Sequence, residues 1–364
     1  MNKTKNSTVI MKIVCAIIFI VFTYFYLHNY QADVLAMAQH VLSDGQTVYN
    51  RDVGAVLITL VLYLLQLAVF AITKMNRRCH ALTYFPSLLV LTVLTDISPK
   101  IDEGFSFGNW TWVFFLILAF YVGVVWVVKQ VQPYEPEIQN FNRFFSRMMW
   151  INMMEMIVMF LFVGLVSNHN DVFHYRMEME SLMNDGKYNK ALKIGEKASD
   201  TDSSLTCLRV ICLTKTKKLG ERLFEYPLVG RAKAMNPNGT SVKVMMWKER
   251  HVTLYFKGKK RFYPVNRDVV LTSYLMDKKL DAFVAAFSKY YNIKSKRIPK
   301  HFKEALILYT HHRANPSLVY YNNVMDADFQ DYQALERKFS NPQERQNALH
   351  DTYGNTYWYY WQYE

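Results

Sequence analysis

The sequence predicts an all-α protein in two parts: a five-helix transmembrane bundle, then a tetratricopeptide-like α-solenoid. Three observations predict it. The first 166 residues are dominated by apolar runs close to the ~20 residues that a ~30 Å hydrocarbon core demands. Residues 167–364 are polar and periodic at helical spacing. The segment from Asp171 to Pro227 reads as helix, turn, helix, with a small-residue face, and its pattern recurs downstream. The expected domains are therefore a transmembrane domain, 1–166, and a soluble helical-repeat domain, 167–364.

The five expected spans are about 9–28, 53–73, 81–97, 110–128 and 148–166. The first follows Lys3, Lys5 and Lys12 and ends in bulky aromatics. A cleavable leader fits poorly, because the small residues Ala36 and Ala38 lie well past the run. Val14 before Cys15 speaks against a lipoprotein site. The second span is followed by Lys74, Arg77, Arg78 and His80. The third is the weakest, since it is short, contains Pro86 and ends at Asp96. The fourth opens on Trp110 and Trp112, rings suited to a membrane interface. Lys129, Arg143 and Arg147 lead into the fifth, which is rich in Met and Phe.

Lys and Arg are dense before span one, between spans two and three, and between spans four and five. The positive-inside rule then puts the N-terminus in the cytoplasm and residues after Asn168 outside it. A re-entrant third span would reverse the C-terminal half. Glu155 is the one clear ionisable group within a span, and such groups are candidate functional sites. The plainer reading is a polar partner on a neighbouring span or a place near the interface. No broken-helix pair or inverted repeat supports transport.

In the soluble half, Phe173–Met183 is a helix and Asn184-Asp185-Gly186 a turn. Tyr188–Ala198 is a second helix, with Tyr188, Ala191, Gly195 and Ala198 on one face. Asp200-Thr-Asp-Ser-Ser offers an N-cap for a third helix, Leu205–Thr216. Small residues let paired helices approach closely, and a single pair cannot bury its apolar face alone, so such units stack.

Gly186, Tyr188, Ala191 and Ala198 resemble the second-helix half of a tetratricopeptide repeat. The first-helix half departs from that pattern, with only Tyr175 and Leu182 fitting loosely. Lys218–Pro227, with Gly220, looks like a degenerate second copy. Asp277–Phe287 is a third, with Ala282 in the place of Ala191. Lys303–Arg313 is a further helix. The chain is also similar to an uncharacterised family of multi-pass membrane proteins from Bacteroidota. The stretches that carry the likeness are Leu219–Pro227, Phe302–Tyr309 and Asn355–Tyr360. It spans most of the C-terminal half and implies a Gram-negative inner membrane, but no activity.

Ser241–Val265 breaks the helical pattern. Its alternating apolar residues around Lys257-Gly-Lys-Lys260 read as a small β-hairpin insert near 241–265 or an irregular loop. Lys257, Lys259, Lys260 and Arg261 beside Tyr255 and Phe262 would suit an anionic lipid or glycan surface, or form a solvated turn. The chain ends in an aromatic run, Tyr357–Tyr363, that could cap the stack, rest on a membrane interface or stack on sugar rings.

Residues 167–364 hold 32 Lys and Arg against 21 Asp and Glu, a net +11. That charge suits anionic lipid or acidic glycan outside the cytoplasm, and nucleic acid only inside it. Cys207 and Cys212, five apart on a helix, are about 8 Å apart, too far for a disulfide.

Catalytic, metal and cofactor motifs are absent. No GxSxG, phosphate-loop, dinucleotide or HExxH pattern occurs. Asp326–Asp331 starts like a calcium loop but has Asp331 where glycine is needed. His311 and His312 point to different faces, and His174 with Glu178 is a single pair. The expected role is a non-enzymatic inner-membrane protein, its repeat domain in the periplasm binding another envelope protein. The alternative is a membrane enzyme on a lipid-linked glycan, using Asp96, Asp102, Glu103 or Glu155.

Overall fold

The computed structural model describes residues 2–104, 106, 108–131, 147–237, 241–247 and 266–364, with side chains from residue 8 onward. All regular structure among them is helical. The chain divides into two compact units, 1–174 and 175–364.

The first unit holds α1 (Asn2–Phe25), continued by a π-helical turn at Tyr26–Tyr30, then α2 (Ala32–Leu42), α3 (Arg51–Thr73), α4 (Phe85–Thr95), α5 (Trp110–Val131) and α6 (Arg147–Val166). Asn50 caps α3, its side chain accepting from the Val53 amide at 3.0 Å. Pro86 occupies the first turn of α4, where a missing N–H costs nothing. Among the described residues, four stretches are long and apolar enough to cross a membrane: Thr8–Tyr30, Arg51–Thr73, Trp110–Val131 and Arg147–Val166.

The expected third span, 81–97, is not among the four and is as short as its sequence suggests. It forms as a 3-10 turn, His80–Tyr84, running into α4, and ends before Asp96. Sixteen such residues reach roughly 26 Å, somewhat less than a ~30 Å hydrocarbon core.

What α4 lacks in length it makes up in burial. It packs against α3, α5 and α6, and Ser87, Leu88, Leu89, Leu91, Thr92 and Thr95 are all buried. The core around it takes Cys15 and Phe19 from α1, Leu62 from α3, and Met156, Met159 and Val163 from α6. The outer faces stay apolar. Val56, Leu57, Leu60 and Leu64 of α3 are exposed, and so are Phe115, Leu116, Phe120 and Trp126 of α5. In water such faces would be costly, and in hydrocarbon they are neutral.

Polar side chains cross-link the interior. Asn152 of α6 is fully buried and accepts from the Ala81 amide at 2.8 Å. Its Nδ2 donates to the Arg77 and Met148 carbonyls, both at 2.9 Å. Gln66 donates to Thr83 at 2.9 Å, and Ser87 to the Leu62 carbonyl at 2.8 Å. At the far end of α1 and α6, Tyr26 bonds Ser167, and Gln31 donates to Tyr26 at 3.1 Å.

The second unit begins with helix–turn–helix hairpins. α7 (Asp171–Asn184) turns into α8 (Tyr188–Ala191), α9 (Ser203–Lys215) into α10 (Leu219–Arg222), and α11 (Arg267–Met276) into α12 (Leu280–Tyr290). All three turns close alike. Gly186, Lys217 and Lys278 adopt left-handed φ of 70°, 57° and 58°. Each donates three residues back, to Met183, Thr214 and Leu275. The following residue reaches Leu182, Leu213 or Tyr274 at 2.8 Å. This is the Schellman closure of a helix C-terminus. Burial repeats in the same register. Nine residues before the turn residue lie Met177, Leu208 and Val269, and seven before it Met179, Val210 and Leu271. Six after it lie Leu192, Leu223 and Val284, and all nine side chains are buried.

Two expectations about these hairpins need correction. The helix expected over Tyr188–Ala198 stops at Ala191. Beyond it the backbone tightens into three-residue turns, and Gly195 takes a left-handed φ with the Tyr175 ring where a Cβ would lie. Ala282 does not occupy the place of Ala191. Counted from the turn residue, that place belongs to Phe283, which like Ala191 is fully buried, whereas Ala282 is half-buried.

Then come α13 (Lys300–His312), α14 (Asn323–Lys338), α15 (Pro342–Tyr353) and α16 (Tyr357–Tyr363). The aromatic end is core rather than surface: Tyr357, Trp358, Tyr359 and Tyr360 are buried. The buried Glu304 carboxylate accepts from the Tyr357 amide at 2.7 Å and from His301 at 2.8 Å. Tyr357 and Tyr360 donate their hydroxyls to the Leu275 and Met276 carbonyls, at 3.2 and 2.8 Å. Residues 241–247 carry no strand. They are held by Glu180, whose Oε2 accepts from the Met245, Met246 and Trp247 amides at 2.9, 2.5 and 3.2 Å. The rest of the expected hairpin, with Lys257, Lys259, Lys260 and Arg261, lies outside the described residues.

Candidate functional site

Two concave sites stand out, one in each unit. In the first unit, α6 and the turn before α4 enclose an apolar groove of about 620 Å³. Leu82, Phe85, Trp150, Met154 and Val158 line it, with Arg147 and Glu155 as its charged groups. Arg147 and Glu155 are eight residues apart on α6, about 12 Å along the axis and on neighbouring faces. Glu155 is half-buried, and its buried Oε2 has no hydrogen-bond partner. A buried carboxyl oxygen within a span and without a donor is costly, and a donor on a bound molecule would satisfy it. Trp150, Met154 and Val158 are more than half exposed, so the groove opens on the surface that faces outward.

The other acids singled out from the sequence do not join it. Asp96 accepts from the Trp110 indole at 2.7 Å, and Asp102 and Glu103 lie on a separate 3-10 turn, Ile101–Glu103. Among the described residues no group of three or more His, Cys, Asp or Glu could hold a metal. The four cysteines are free thiols, and Cys207 and Cys212 are both buried.

In the second unit, a groove of about 390 Å³ is lined by Lys278, Lys279, Asp281, His312, Arg313 and Trp361, with Leu280 and Ala282. The turn before α12, the end of α13 and the aromatic α16 supply these side chains. Lys279 pairs with Asp277 at 2.8 Å, and Arg313 pairs with Asp281. Lys278 lies over the Tyr360 ring, 5.5 Å from its centroid. Burial and the nearby charge of Arg231 hold the Lys278 pKa below its ordinary value, against the pull of Glu364. Burial works against the Asp277 carboxylate, but Lys279 and the Ala232 amide outweigh it and lower its pKa. This groove is not legible in the sequence, because its residues are scattered from 278 to 361. The basic pair Lys278-Lys279 and Trp361 of the aromatic run are the available signals.

The small residues singled out from the sequence have separate roles. Ala191 is fully buried. Tyr188 and Ala198 are half-buried. Gly186 serves backbone geometry, since nothing lies within 4 Å of a Cβ added there. Gly220 permits a close approach: an added Cβ would meet Pro299 at 2.8 Å and Phe302 at 2.9 Å.

Four long apolar helices are compatible with a membrane-spanning protein, and that is the class this fold defines. Residues 263–364 match a family of unknown function, DUF6057. The match takes in α11 to α16 and the whole lining of the second groove, but less than a third of the chain. No curated protein and no solved structure matches the chain.

Proposed function

We propose that the chain is an inner-membrane protein that presents stacked helical hairpins as a docking surface for another envelope protein. The observation that carries this reading is the threefold recurrence of one hairpin, with the same turn closure and the same buried register. Repeating hairpins stack into extended surfaces suited to protein partners. In this reading they are degenerate tetratricopeptide-like repeats. The transmembrane bundle counts α4 as the third of five crossings, the N-terminus is cytoplasmic, and residues after Asn168 are periplasmic. The chain then has no catalytic role and no cofactor, and nucleic acid is not a partner.

Photo-crosslinking residues placed one by one on the exposed faces of α8, α10 and α12 test the docking surface in native membranes. A single adduct from positions on one face is expected. Adducts from every face alike, or from none, would overturn the reading.

The Glu155 groove favours a second reading, an enzyme on a lipid-linked glycan. An apolar groove with a lone carboxyl group and an arginine is suited to a lipid tail and its polar attachment. Glu155→Gln separates the two. An enzyme loses the activity that a deletion strain lacks while the protein stays inserted, and an adaptor keeps it.

A further inference from the structure

We propose that the groove between the α11–α12 turn, the end of α13 and Trp361 binds a phosphorylated sugar of monosaccharide size. Its volume, about 390 Å³, accommodates one such unit. Three features of the lining select the ligand. Lys278, Lys279 and Arg313 all line the groove, with His312, and of the three cations Lys279 and Arg313 are balanced by Asp277 and Asp281. Phosphate is the group such clusters hold through charge-assisted hydrogen bonds.

Lys279 and Arg313 are each oriented by an aspartate, Asp277 and Asp281, and so are already positioned before a ligand arrives. Trp361 is half-buried at the groove edge and offers a flat apolar surface for one face of a ring. Asp281, the one carboxylate in the lining, would repel a bare inorganic anion but accepts hydroxyl donors, which a sugar ring supplies. The start of α12 opens on the same groove. Its first internal bond runs from the Phe283 amide to the Lys279 carbonyl at 3.0 Å, and Lys279 provides no side-chain cap. The amides of Leu280, Asp281 and Ala282 therefore precede the hydrogen-bonded body of the helix.

Besides Asp277 and Asp281, Glu364 opposes the positive field, near Lys278. Arg231 lies near Lys278 as well and adds to the positive field. A bound phosphate would relieve the repulsion between these two cations.

The test is calorimetric titration of the full chain in lipid nanodiscs. Its probes are glucose 1-phosphate, glucose, inorganic phosphate, adenosine monophosphate and phosphatidylglycerol vesicles. Glucose 1-phosphate is expected to bind about tenfold or more tightly than glucose or phosphate alone, since each half of the ligand supplies part of the affinity.

Lys278→Gly keeps the left-handed turn and removes a cation. It should lower affinity about tenfold with the thermal transition unchanged or raised. Trp361→Ala should bring glucose 1-phosphate down to the affinity of phosphate. Several outcomes would overturn the proposal. One is no heat with glucose 1-phosphate up to about 10 mM. Others are affinities unchanged in both variants, or equal or tighter binding of adenosine monophosphate. Binding to vesicles without binding to the soluble sugar phosphate would also overturn it.

Discussion

Lys217 and Lys278 sit where helix-ending turns ordinarily carry glycine, and Gly186 is the one of the three that follows the rule. A left-handed side-chain-bearing residue costs about 1–2 kcal/mol, partly offset because glycine loses more freedom on folding. Lys217→Gly should therefore stabilise the second unit by about 0.5 kcal/mol in chemical denaturation, and Gly186→Ala should destabilise it by about 1 kcal/mol.

Arg209 is a second residue-scale determinant. It is fully buried and donates to the Gly195 carbonyl at 2.9 Å and the Pro227 carbonyl at 2.8 Å. Burial pushes its pKa down to about 10, so it remains charged at neutral pH. Arg209→Met strands both carbonyls and should cost about 3 kcal/mol, read from the same denaturation curves.

Glu180 predicts a pH dependence. Burial raises its pKa, although three backbone amides and Arg176 pull the other way. A carboxyl group whose folded pKa is raised favours the protonated folded state. Its stabilising contribution is full below the ordinary glutamate range, and it is lost as pH rises through the folded pKa. Stability of the chain should fall with rising pH across that window, and Glu180→Gln should flatten the slope.

At the scale of elements, the sequence read helices well and turns unevenly. The helix expected over Phe173–Met183 falls within α7, and the Asp200–Ser204 stretch predicts the cap of α9, where the Asp202 carboxylate accepts from the Leu205 amide at 2.7 Å. Gly186 marked its turn because glycine is the expected residue there. The turns at Lys217 and Lys278 carry no such mark and are recognisable only from backbone geometry. The one-residue misplacement of Ala282 follows from that, since the turn residue Lys278, and not the small residues, sets the register. The short second helices were also hidden, because the left-handed Gly195 looks like any other small residue in a list of letters. The clustering of the second groove could not be read at all, since it depends on how α11, α12, α13 and α16 pack.

Helix α4 carries its own prediction. Asn152→Leu leaves the Ala81 amide and the Arg77 carbonyl without their partner and should destabilise the membrane unit by about 1–2 kcal/mol. A thermal shift in detergent or nanodiscs measures it.

At the scale of the whole molecule, the open choice is which side of the membrane holds residues 175–364. Paired C-terminal fusions report it, one to an enzyme active only outside the cytoplasm and one to a protein fluorescent only inside. External activity is expected, with α4 crossing beside four longer helices. Internal fluorescence would show that α4 turns back, and it would move the search for partners, and for a sugar phosphate, to the cytoplasmic side.

The Asn152 bridge also imposes an order on biogenesis. Asn152 follows Ala81 by 71 residues, so the donor and acceptor that fasten the start of α4 are made at different times. At ribosomal speeds of about 5–20 residues per second, α4 waits roughly 4–14 s before its fastening emerges. During that interval a short helix with an unfilled polar end must be sheltered by the insertion machinery or held against α3. α6 is then the last helix of the bundle to be made and the one that locks the others. A truncation before residue 152 should leave α4 open to proteolysis, while one after residue 166 should not.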